Sequence, residues 1–343
     1  MRISTIFLIF LVNLKTFIKK IFKLKIVPYK ILINLTDLCN SRCAYCDIWK
    51  IKPQNEIDLE NIKKSFEGIE KDVYWISLSG GEVTLVPYFY EMIDYFKEKL
   101  PNLRIIAFTT NALGPSKSYN YANYIKTKGF DSLITISLDG GKEFHDKIRG
   151  IPGNYEKCLR LYDDLKKNNI PVHFGITVSD QNENFIINDY KKYSKSMKAV
   201  TFVHSEGIYN KQNSFNQDHK ILNGLKHLIK YYKVEKISEI IEWIHIKLSI
   251  KFLEKNRKKN IIPCDVLNTS IHINPNGDLK PCMFMPKVGN IKNNNINSIL
   301  DNEDTKNSKN LIKKNNCPKC WMNCYSPHSI MQYPFRSLLK AFF

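Results

Sequence analysis

The chain has 343 residues, enough for one large domain and a small one, and its apolar fraction of 43% and charged fraction of 25% are those of an ordinary globular protein. Its formal net charge of +19 is unusual and indicates an anionic partner, such as nucleic acid, a membrane surface or a phosphorylated substrate. No RNA-binding motif or basic-aromatic repeat accompanies this charge, so nucleic acid is not expected as a partner.

Residues 1–29 are predicted to form a basic amphipathic helix. Apolar side chains recur at helical spacing on one face, at Phe7, Phe10, Leu14, Phe17 and Ile21, and lysines recur on another, at Lys15, Lys19 and Lys23. A signal peptide is not favoured because no small-residue cleavage site follows, and the segment is too short and too charged to span a bilayer. Two interpretations remain open: peripheral contact with a membrane, or packing on the protein's own fold.

Three cysteines follow the first predicted strand, in the stretch Cys39-Asn-Ser-Arg-Cys43-Ala-Tyr-Cys46. Three thiolates on one short loop can hold one face of a [4Fe–4S] cluster, which is normally bound by four cysteines. The fourth iron would then be open to a substrate or cosubstrate. Zinc is the alternative, but a structural zinc site needs a fourth ligand that this loop lacks. A disulfide is less favoured because nothing else in the sequence indicates secretion.

From residue 30, short apolar runs alternate with helical patterns, which is typical of βα units and a parallel sheet. The predicted strands are 30–35, 73–79, 104–109, 132–138, 171–178 and 199–204. The predicted helices are 58–70, with Asp58 as N-cap, 87–99, 117–128, 154–168, 184–196 and 217–232. Six units are too few to close an eight-stranded barrel, so the prediction is an α/β fold with an open, partial (β/α)6 barrel.

Functional loops of parallel barrels lie at the carboxyl ends of the strands. The second strand ends at Ser77-Leu-Ser-Gly-Gly-Glu82, where Gly80 and Gly81 would let the backbone approach a ligand and Glu82 could accept from a bound ammonium. The third strand ends at Thr109-Thr-Asn111. The fourth ends at Ser137-Leu-Asp-Gly140 and is followed by His145-Asp146 and Ile148-Arg-Gly150.

Polar side chains on the later strands supply further candidates. Ser137 and Asp139 are predicted to share one face, and Arg149 is a suitable partner for a carboxylate, with a surface salt bridge as the alternative. His173 is predicted to face the interior as a candidate acid or base, and a buried structural histidine is the other interpretation. His204, with Glu206 beyond it, is a similar candidate. Cys158 is expected to pack in the core.

A second cysteine group follows a predicted helical linker at 233–263. The turn Asn274-Pro-Asn-Gly277 predicts a hairpin that brings Cys264 and Cys282 together. With Cys317 and Cys320 of the following Cys-x2-Cys they supply four thiolates, and Cys324 is a spare that could replace one of them. Zinc on the same cysteines is the competing interpretation. Residues 331–343 form a basic, apolar tail.

The cysteine spacing, together with Tyr45 before the last cysteine, resembles the radical S-adenosylmethionine (SAM) superfamily. Gly80-Gly81-Glu82 resembles the family motif that binds the SAM amino group, and this role is carried over to those residues. The third strand resembles the family's Thr-Asn-Gly but has Ala112 in place of the glycine, which leaves the role of Asn111 open. Ser-Leu-Asp-Gly with His-Asp-x-Ile-Arg-Gly is similar to the branch that includes sulfatase and peptide maturases.

The resemblance implies a core barrel over 30–232 that binds SAM and a [4Fe–4S] cluster on Cys39, Cys43 and Cys46. Ser137 and Asp139 would then hydrogen-bond the SAM ribose or carboxylate, and Arg149 would contact SAM. Residues 264–330 resemble the SPASM and twitch auxiliary-cluster domains. Because a full SPASM domain has seven cysteines and this region has five, one auxiliary [4Fe–4S] cluster is expected.

An enzyme of this kind would take an electron from flavodoxin or ferredoxin in the cytoplasm, cleave SAM reductively and abstract hydrogen from a substrate. We expect an oxidation or cross-link of a peptide or protein. The alternative is a dehydrogenase or epimerase of a sugar, cyclitol or lipid-linked precursor. From another class, a non-catalytic zinc-binding interaction protein stays open at this point.

Overall fold

The computed structural model describes residues 2–204, 217–257 and 260–342. Its strands are β1 Lys30–Asn34, β2 Trp75–Ser79, β3 Ile105–Thr110, β4 Asp131–Ser137, β5 Val172–Val178, β6 Met197–Phe202, β7 Ser270–Ile273, β8 Asp278–Lys280 and β9 Gly289–Asn290. They form one sheet in the order β6-β5-β4-β3-β2-β1-β7-β8-β9. Strands β1 to β6 are parallel neighbours, and the six predicted strands are confirmed to within two residues at each end.

The helices between the strands follow the predicted βα pattern. They are α1 Ile3–Ile21, α2 Leu59–Ser65, α3 Phe89–Lys99, α4 Pro115–Thr127, α5 Lys142–Arg149, α6 Asn154–Lys167, α7 Glu183–Asn188, α8 Tyr190–Tyr193, α9 Asp218–Tyr231, α10 Ile237–Glu254, α11 Ile296–Asp301, α12 Glu303–Lys313, α13 Ser326–Gln332 and α14 Pro334–Phe342. Asp58 caps α2, accepting a hydrogen bond from the Asn61 N–H at 2.7 Å. The fold is therefore an α/β partial barrel, as predicted.

Four helices differ from the prediction. The segment predicted at 184–196 is two short helices, α7 and α8, and α2 ends at Ser65, ahead of Gly68 with its φ of +83°. Helix α5 lies in a segment for which no helix was predicted, and it ends at Arg149 because Gly150 adopts the left-handed conformation.

The two faces of the sheet have different environments. Phe174 on β5 stacks on Tyr162 of α6 at a ring-centroid distance of 4.5 Å, so the bulky face of β5 packs on helices as predicted. On the other face, His173 and Thr177 are only half-buried, like Thr135 and Ser137 of β4. This second face lines the interior of the open barrel.

The carboxyl-terminal region continues the same sheet. Strand β7 pairs parallel with β1, and the predicted hairpin at 274–277 joins β7 to the antiparallel β8. Helix α10, in the predicted linker, packs on β6, where His245 Nε2 lies 3.2 Å from the Val200 carbonyl oxygen. The cysteine-rich region is therefore docked directly on the barrel.

The amino-terminal helix α1 packs with one face on α13. Gln332 Nε2 donates to Asn13 Oδ1 at 2.9 Å, and Ile9 and Val12 are buried. The interpretation that this segment packs on the protein's own fold is thus confirmed for one face, and membrane contact of the other stays a prediction. In the described ranges, no helix has both the length and the apolarity to cross a bilayer.

Candidate active site

The predicted motifs meet at the carboxyl edge of the parallel sheet. The cysteine loop follows β1, and the Gly80-Gly81-Glu82 turn follows its neighbour β2. On its other side the loop contacts the end of α5, because the Arg42 and Ala44 N–H groups donate to the carbonyl oxygens of Arg149 and Ile148 at 3.0 and 2.9 Å. The loop is therefore fixed from two directions by separate βα units.

Gly80 and Gly81 allow close packing against the cysteine loop itself. The Gly81 N–H donates to the Thr36 carbonyl oxygen at 2.6 Å. A Cβ atom on Gly80 would lie 2.4 Å from the Thr36 carbonyl oxygen, and one on Gly81 would lie 2.1 Å from that of Leu38. Only glycine fits at either position. Gly80 and Gly81 therefore approach the backbone of Thr36 and Leu38 closely, whereas the sequence predicted that they would approach a ligand.

Glu82 is fully buried behind this turn. Its Oε1 atom accepts from the Thr84 and Thr110 hydroxyls, each at 2.9 Å, and its Oε2 atom accepts from the Asn111 N–H at 2.8 Å. Burial raises the pKa of Glu82, and these donors offset part of the rise. The Thr84 N–H also donates to Oε1, at 3.3 Å, so the oxygen that retains capacity for another donor, such as an ammonium group, is Oε2, which has one.

Asn111 connects the third strand to the cysteine loop. Its Nδ2 atom donates to Asn40 Oδ1 at 2.8 Å and lies 4.0 Å from Cys39 Sγ. The next residue, Ala112, has a φ of +59°, in the left-handed region that glycine adopts most readily. Ala112 therefore adopts a backbone conformation typical of the glycine that the family has at this position, and it adds a buried methyl group.

Asp139 and Arg149 form a buried ion pair rather than a surface one. Two guanidinium nitrogens, Nε and Nη2, lie 2.7 Å from Asp139 Oδ2. The Tyr45 hydroxyl donates to the same oxygen, and the Thr177 N–H donates to Oδ1 at 2.9 Å. The Asp139 carboxylate is thus held mainly by protein groups, and its assignment as a hydrogen-bonding partner of SAM stays a prediction.

The Arg149 side chain also reaches the cysteine loop. Its Nη1 atom lies 3.6 Å from Cys43 Sγ, and the Ser41 hydroxyl lies 3.2 Å from the same sulfur. The carboxylate partner predicted for Arg149 is Asp139 of the same chain. Arg149 therefore faces a cysteine of the cluster loop, and its contact with SAM stays a prediction.

His145 and Asn154 extend this network and were not singled out from the sequence for a role. The His145 Nδ1 atom accepts from the Asp139 N–H at 3.2 Å, and its Nε2 atom lies 3.1 Å from Asn154 Oδ1. Asn154 Nδ2 in turn donates to the Asn111 carbonyl oxygen at 2.8 Å. Burial, and then Arg149, lowers the pKa of His145 to about 4, so the ring is neutral at pH 7.

Ser137 and Asp180 lie at the carboxyl ends of β4 and β5. Ser137 is half-buried on the interior face. Asp180 is 6% exposed, and neither of its carboxylate oxygens accepts a hydrogen bond from the described part of the chain. A buried carboxylate without donors is costly, which makes Asp180 a candidate for the proposals below. It was missed because no sequence pattern marks it.

His173 lies at the wrong end of the barrel for catalysis. It is the second residue of β5, whereas the cysteine loop lies at the carboxyl ends of the strands. Its Nε2 atom lies 2.9 Å from Thr135 Oγ1, and burial lowers its pKa to about 4. The structure therefore contradicts the prediction of a catalytic His173 and favours the structural interpretation. His204 is buried beyond β6 and stacks on Phe202, and Glu206 lies outside the described residues.

The first three cysteines suit an iron–sulfur cluster by their chemistry. Burial raises the pKa of Cys39, and it raises the pKa of Cys46 to about 12. Such thiols stay protonated unless a cation binds them. The N–H groups of Arg149 and Asn111 lie beside Cys43 and Cys39, as expected around the sulfur ligands of a cluster. The residues present therefore fit the group.

Four cysteines of the second group line one small pocket. They are Cys264, Cys282, Cys317 and Cys320. Cys282 and Cys320 are hydrogen-bonded to each other, which lowers the pKa of Cys282 and raises that of Cys320. Cys324 is exposed and is not among the lining residues, so the geometry supports the predicted set of four with Cys324 outside it.

Single-ion sites are not seen among the described residues. No three His, Cys, Asp or Glu side chains there are arranged to hold one metal ion.

Known protein families match both cysteine-containing regions of the chain. Residues 33–191 match the Radical SAM superfamily, and residues 264–325 match SPASM, an iron-sulfur cluster-binding domain. The chain is 25% identical over 283 residues to AlbA, the antilisterial bacteriocin subtilosin biosynthesis protein of Bacillus subtilis. This alignment covers 80% of the chain but only 60% of AlbA, so the chain spans less than two thirds of that relative.

Two solved structures share the fold. Native anSMEcpe with bound AdoMet and Kp18Cys peptide has a TM-score of 0.64 at 17% identity, covering 92% of this chain and all of that one. Streptococcus suis SuiB bound to precursor peptide SuiA has a TM-score of 0.61 at 16% identity, covering 85% of this chain and 69% of that one. The match to an iron-sulfur cluster-binding domain contradicts the zinc-binding interaction protein. Residues 33–191 form a radical SAM domain, the type that binds SAM and a [4Fe–4S] cluster, and residues 264–325 form a SPASM domain, the type that binds auxiliary iron–sulfur clusters.

Proposed function

We propose that the chain is a peptide or protein maturase that oxidises or cross-links its substrate. The observation that carries the proposal is the pairing of two cysteine sites on one continuous sheet, because a second cluster beside a radical site provides an acceptor for the substrate's electron. The similarity to AlbA, a bacteriocin biosynthesis protein, supports a peptide substrate, and the fold is shared with structures that hold peptides.

The proposed SAM site is the carboxyl edge of the barrel. Cys39, Cys43 and Cys46 would ligate the cluster, which with SAM supplies one-electron cleavage and hydrogen abstraction. The backbone of Gly80 and Gly81 would border the cosubstrate. The free acceptor position on Glu82 Oε2 suits the SAM amino group.

Other residues of this edge have supporting roles in the proposal. Ser137 and Asp180 would accept from polar groups of SAM or of the substrate. Asn111 holds Asn40 and so fixes the start of the cysteine loop. Asp139 and Arg149 hold the rest of that loop through Tyr45 and Cys43. They are positioning residues, because their contacts are with the protein.

The auxiliary site would be ligated by Cys264, Cys282, Cys317 and Cys320. The site on Cys39, Cys43 and Cys46 would need one electron for SAM cleavage, and we propose flavodoxin or ferredoxin in the cytoplasm as its donor. The substrate would lose one hydrogen atom by abstraction and a second as a proton, with the remaining electron passed to the auxiliary site and from there back to the oxidised flavodoxin or ferredoxin.

The test is an anaerobic reaction of the purified chain with SAM, dithionite and an unmodified ribosomal precursor peptide, such as any short peptide encoded beside its gene. Mass spectrometry should show a peptide lighter by two hydrogen atoms for each bond formed. Cys39→Ala should abolish both this product and SAM cleavage. SAM cleavage without any change in peptide mass, together with oxidation of a sugar or cyclitol under the same conditions, would contradict the peptide assignment.

A further inference from the structure

The two terminal helices turn their apolar sides away from the protein. The face of α1 that packs inward contains Thr5, Asn13 and Thr16 besides Ile9 and Val12. The apolar stripe predicted from the sequence faces outward, at Phe7, Phe10, Leu14, Phe17 and Ile21, and these side chains are 41–62% exposed. A helix that only covers a core has the opposite arrangement.

The carboxyl-terminal helix α14 shows the same inversion. Its buried residues are Ser337 and Ala341, the small ones. Its large apolar residues are exposed, with Phe335 at 84%, Leu339 at 61% and Phe342 at 65%. With its small residues facing the protein and its phenylalanines facing outward, α14 is suited to contact another apolar environment on its outer side.

These two helices account for most of the exposed apolar surface in the described ranges. Of the 22 large apolar side chains that are exposed there, eight lie on α1 and four on α14, although the two helices have 19 and 9 residues. Scattered apolar residues on a surface need no explanation, but this concentration does.

The two helices are close neighbours. Both contact α13, and the Lys20 ammonium of α1 lies 3.0 Å from the Tyr333 hydroxyl, directly before α14. The same ammonium lies 4.6 Å from the centre of the Tyr333 ring. Their exposed sides therefore belong to one region of the molecule, which we call the terminal surface.

The charge of the terminal surface selects its partner. Neither α1 nor α14 contains an aspartate or glutamate, and the first acidic residue of the chain is Asp37. Lys15, Lys19 and Lys23 belong to α1 or follow it directly, and Arg336 and Lys340 belong to α14. A cationic rim around phenylalanine and leucine is the composition of a helix that lies in the headgroup region of an anionic bilayer.

A second copy of the chain is a poorer partner for the same surface. A two-fold dimer places identical patches against each other. On this surface that would bring the lysines and arginines of both copies together without any acidic residue on either helix. Anionic lipid satisfies both the apolar and the cationic parts.

We propose that the terminal surface, α1 with α14, binds the surface of an anionic phospholipid membrane and holds the barrel beside it. The exposed phenylalanines enter the acyl boundary, and the lysines contact lipid phosphates. The proposal concerns where the enzyme works and does not depend on which substrate it modifies.

The test uses the full chain with its clusters and co-sedimentation with extruded vesicles of phosphatidylcholine alone or with one third phosphatidylglycerol. We expect binding to the anionic vesicles that weakens as salt is raised. Phe10→Ser/Phe17→Ser should lower the partition coefficient at least about tenfold. Lys15→Gln/Lys19→Gln/Lys23→Gln should lower it by about fivefold per lysine on anionic vesicles only.

Surface substitutions are used because deleting α1 would uncover the residues that it buries. The matched control is Ile187→Ser/Leu311→Ser, which removes two apolar side chains of 37% and 40% exposure outside the terminal surface and should leave binding unchanged. Iron content of each variant checks folding. Equal sedimentation of wild type and Phe10→Ser/Phe17→Ser would overturn the proposal. The proposal would also be overturned if the wild-type chain did not bind vesicles but formed dimers in ultracentrifugation, and Phe10→Ser/Phe17→Ser did not form them.

Discussion

Replacing Asp139 by Asn tests whether the buried ion pair holds the cysteine loop. The substitution keeps the size of the side chain but leaves the Arg149 guanidinium, whose side chain is 10% exposed, without its counter-charge. It also removes the acceptor of the Tyr45 hydroxyl if the new amide turns its NH2 toward Arg149 and Tyr45.

The expected cost follows from the burial of the pair. Breaking a buried pair by neutralising one partner costs about 3–5 kcal/mol, because the other charge stays desolvated. For a protein of 343 residues that corresponds to a melting temperature lower by about 4–7 °C. Since Arg149 also faces Cys43, the variant should bind less iron and cleave SAM more slowly.

The assay is thermal unfolding of anaerobically purified protein, with iron content measured on the same samples. Adding Arg149→Met to Asp139→Asn should restore about 1–3 kcal/mol of stability, because no unpaired charge remains. The control is Asp189→Asn, which breaks a Lys192–Asp189 pair of the same 2.7 Å length on the surface and should cost less than about 1 kcal/mol. Equal effects of Asp139→Asn and Asp189→Asn would refute the reasoning.

Three further predictions concern the same site. Gly81→Ala should prevent cluster loading because its Cβ would lie 2.1 Å from the Leu38 carbonyl oxygen. Gly141→Ala should load normally because its Cβ would have no heavy atom within 4 Å. Normal iron content in both variants would contradict this account of the packing. The pKa of His145 is lowered to about 4. The contribution of its neutral ring to the free energy of unfolding is therefore complete above the ordinary histidine pKa and is lost as pH falls toward 4. The stability advantage of wild type over His145→Gln should shrink by about 3 kcal/mol between pH 7 and 4, and a constant difference would sink this assignment. Cys282→Ala should lose the auxiliary iron while Cys324→Ala keeps it, measured by iron analysis; equal losses would place Cys324 among the ligands.

The sequence identified the parts of the site that depend on local patterns. Cysteine spacing, the Gly-Gly-Glu turn and the order of βα units are read along the chain, and parallel strands bring their carboxyl ends to one edge. The hairpin at 274–277 and the four cysteines around it followed from the same kind of signal.

What could not be predicted depends on contacts between distant segments. Asp139 was expected to face a ligand, but the period-two pattern ends with β4 at Ser137, and the next residues turn into the protein. Its partners Tyr45, Arg149 and Thr177 come from three other elements. Such a network leaves no local signature in the sequence.

His173 and the terminal helices illustrate two other limits. The face of a strand can be predicted from alternation, but the height of His173 along the barrel depends on where β5 begins. For α1 the apolar stripe was recognised from the sequence. Which face of the helix packs inward depends on the residues of α13 that it contacts, such as Gln332, which donates to Asn13.

The central claim is that the chain holds two iron–sulfur clusters on two separate sets of cysteines. The most direct measurement is iron and sulfide content with EPR on anaerobically purified protein, comparing wild type with Cys39→Ala/Cys43→Ala/Cys46→Ala. We expect about eight irons in wild type, about four in the triple variant, and a SAM-induced change only in the signal that the variant lacks. About four irons in wild type and none in the triple variant would mean that the second cysteine group holds no cluster, and the claim would be wrong.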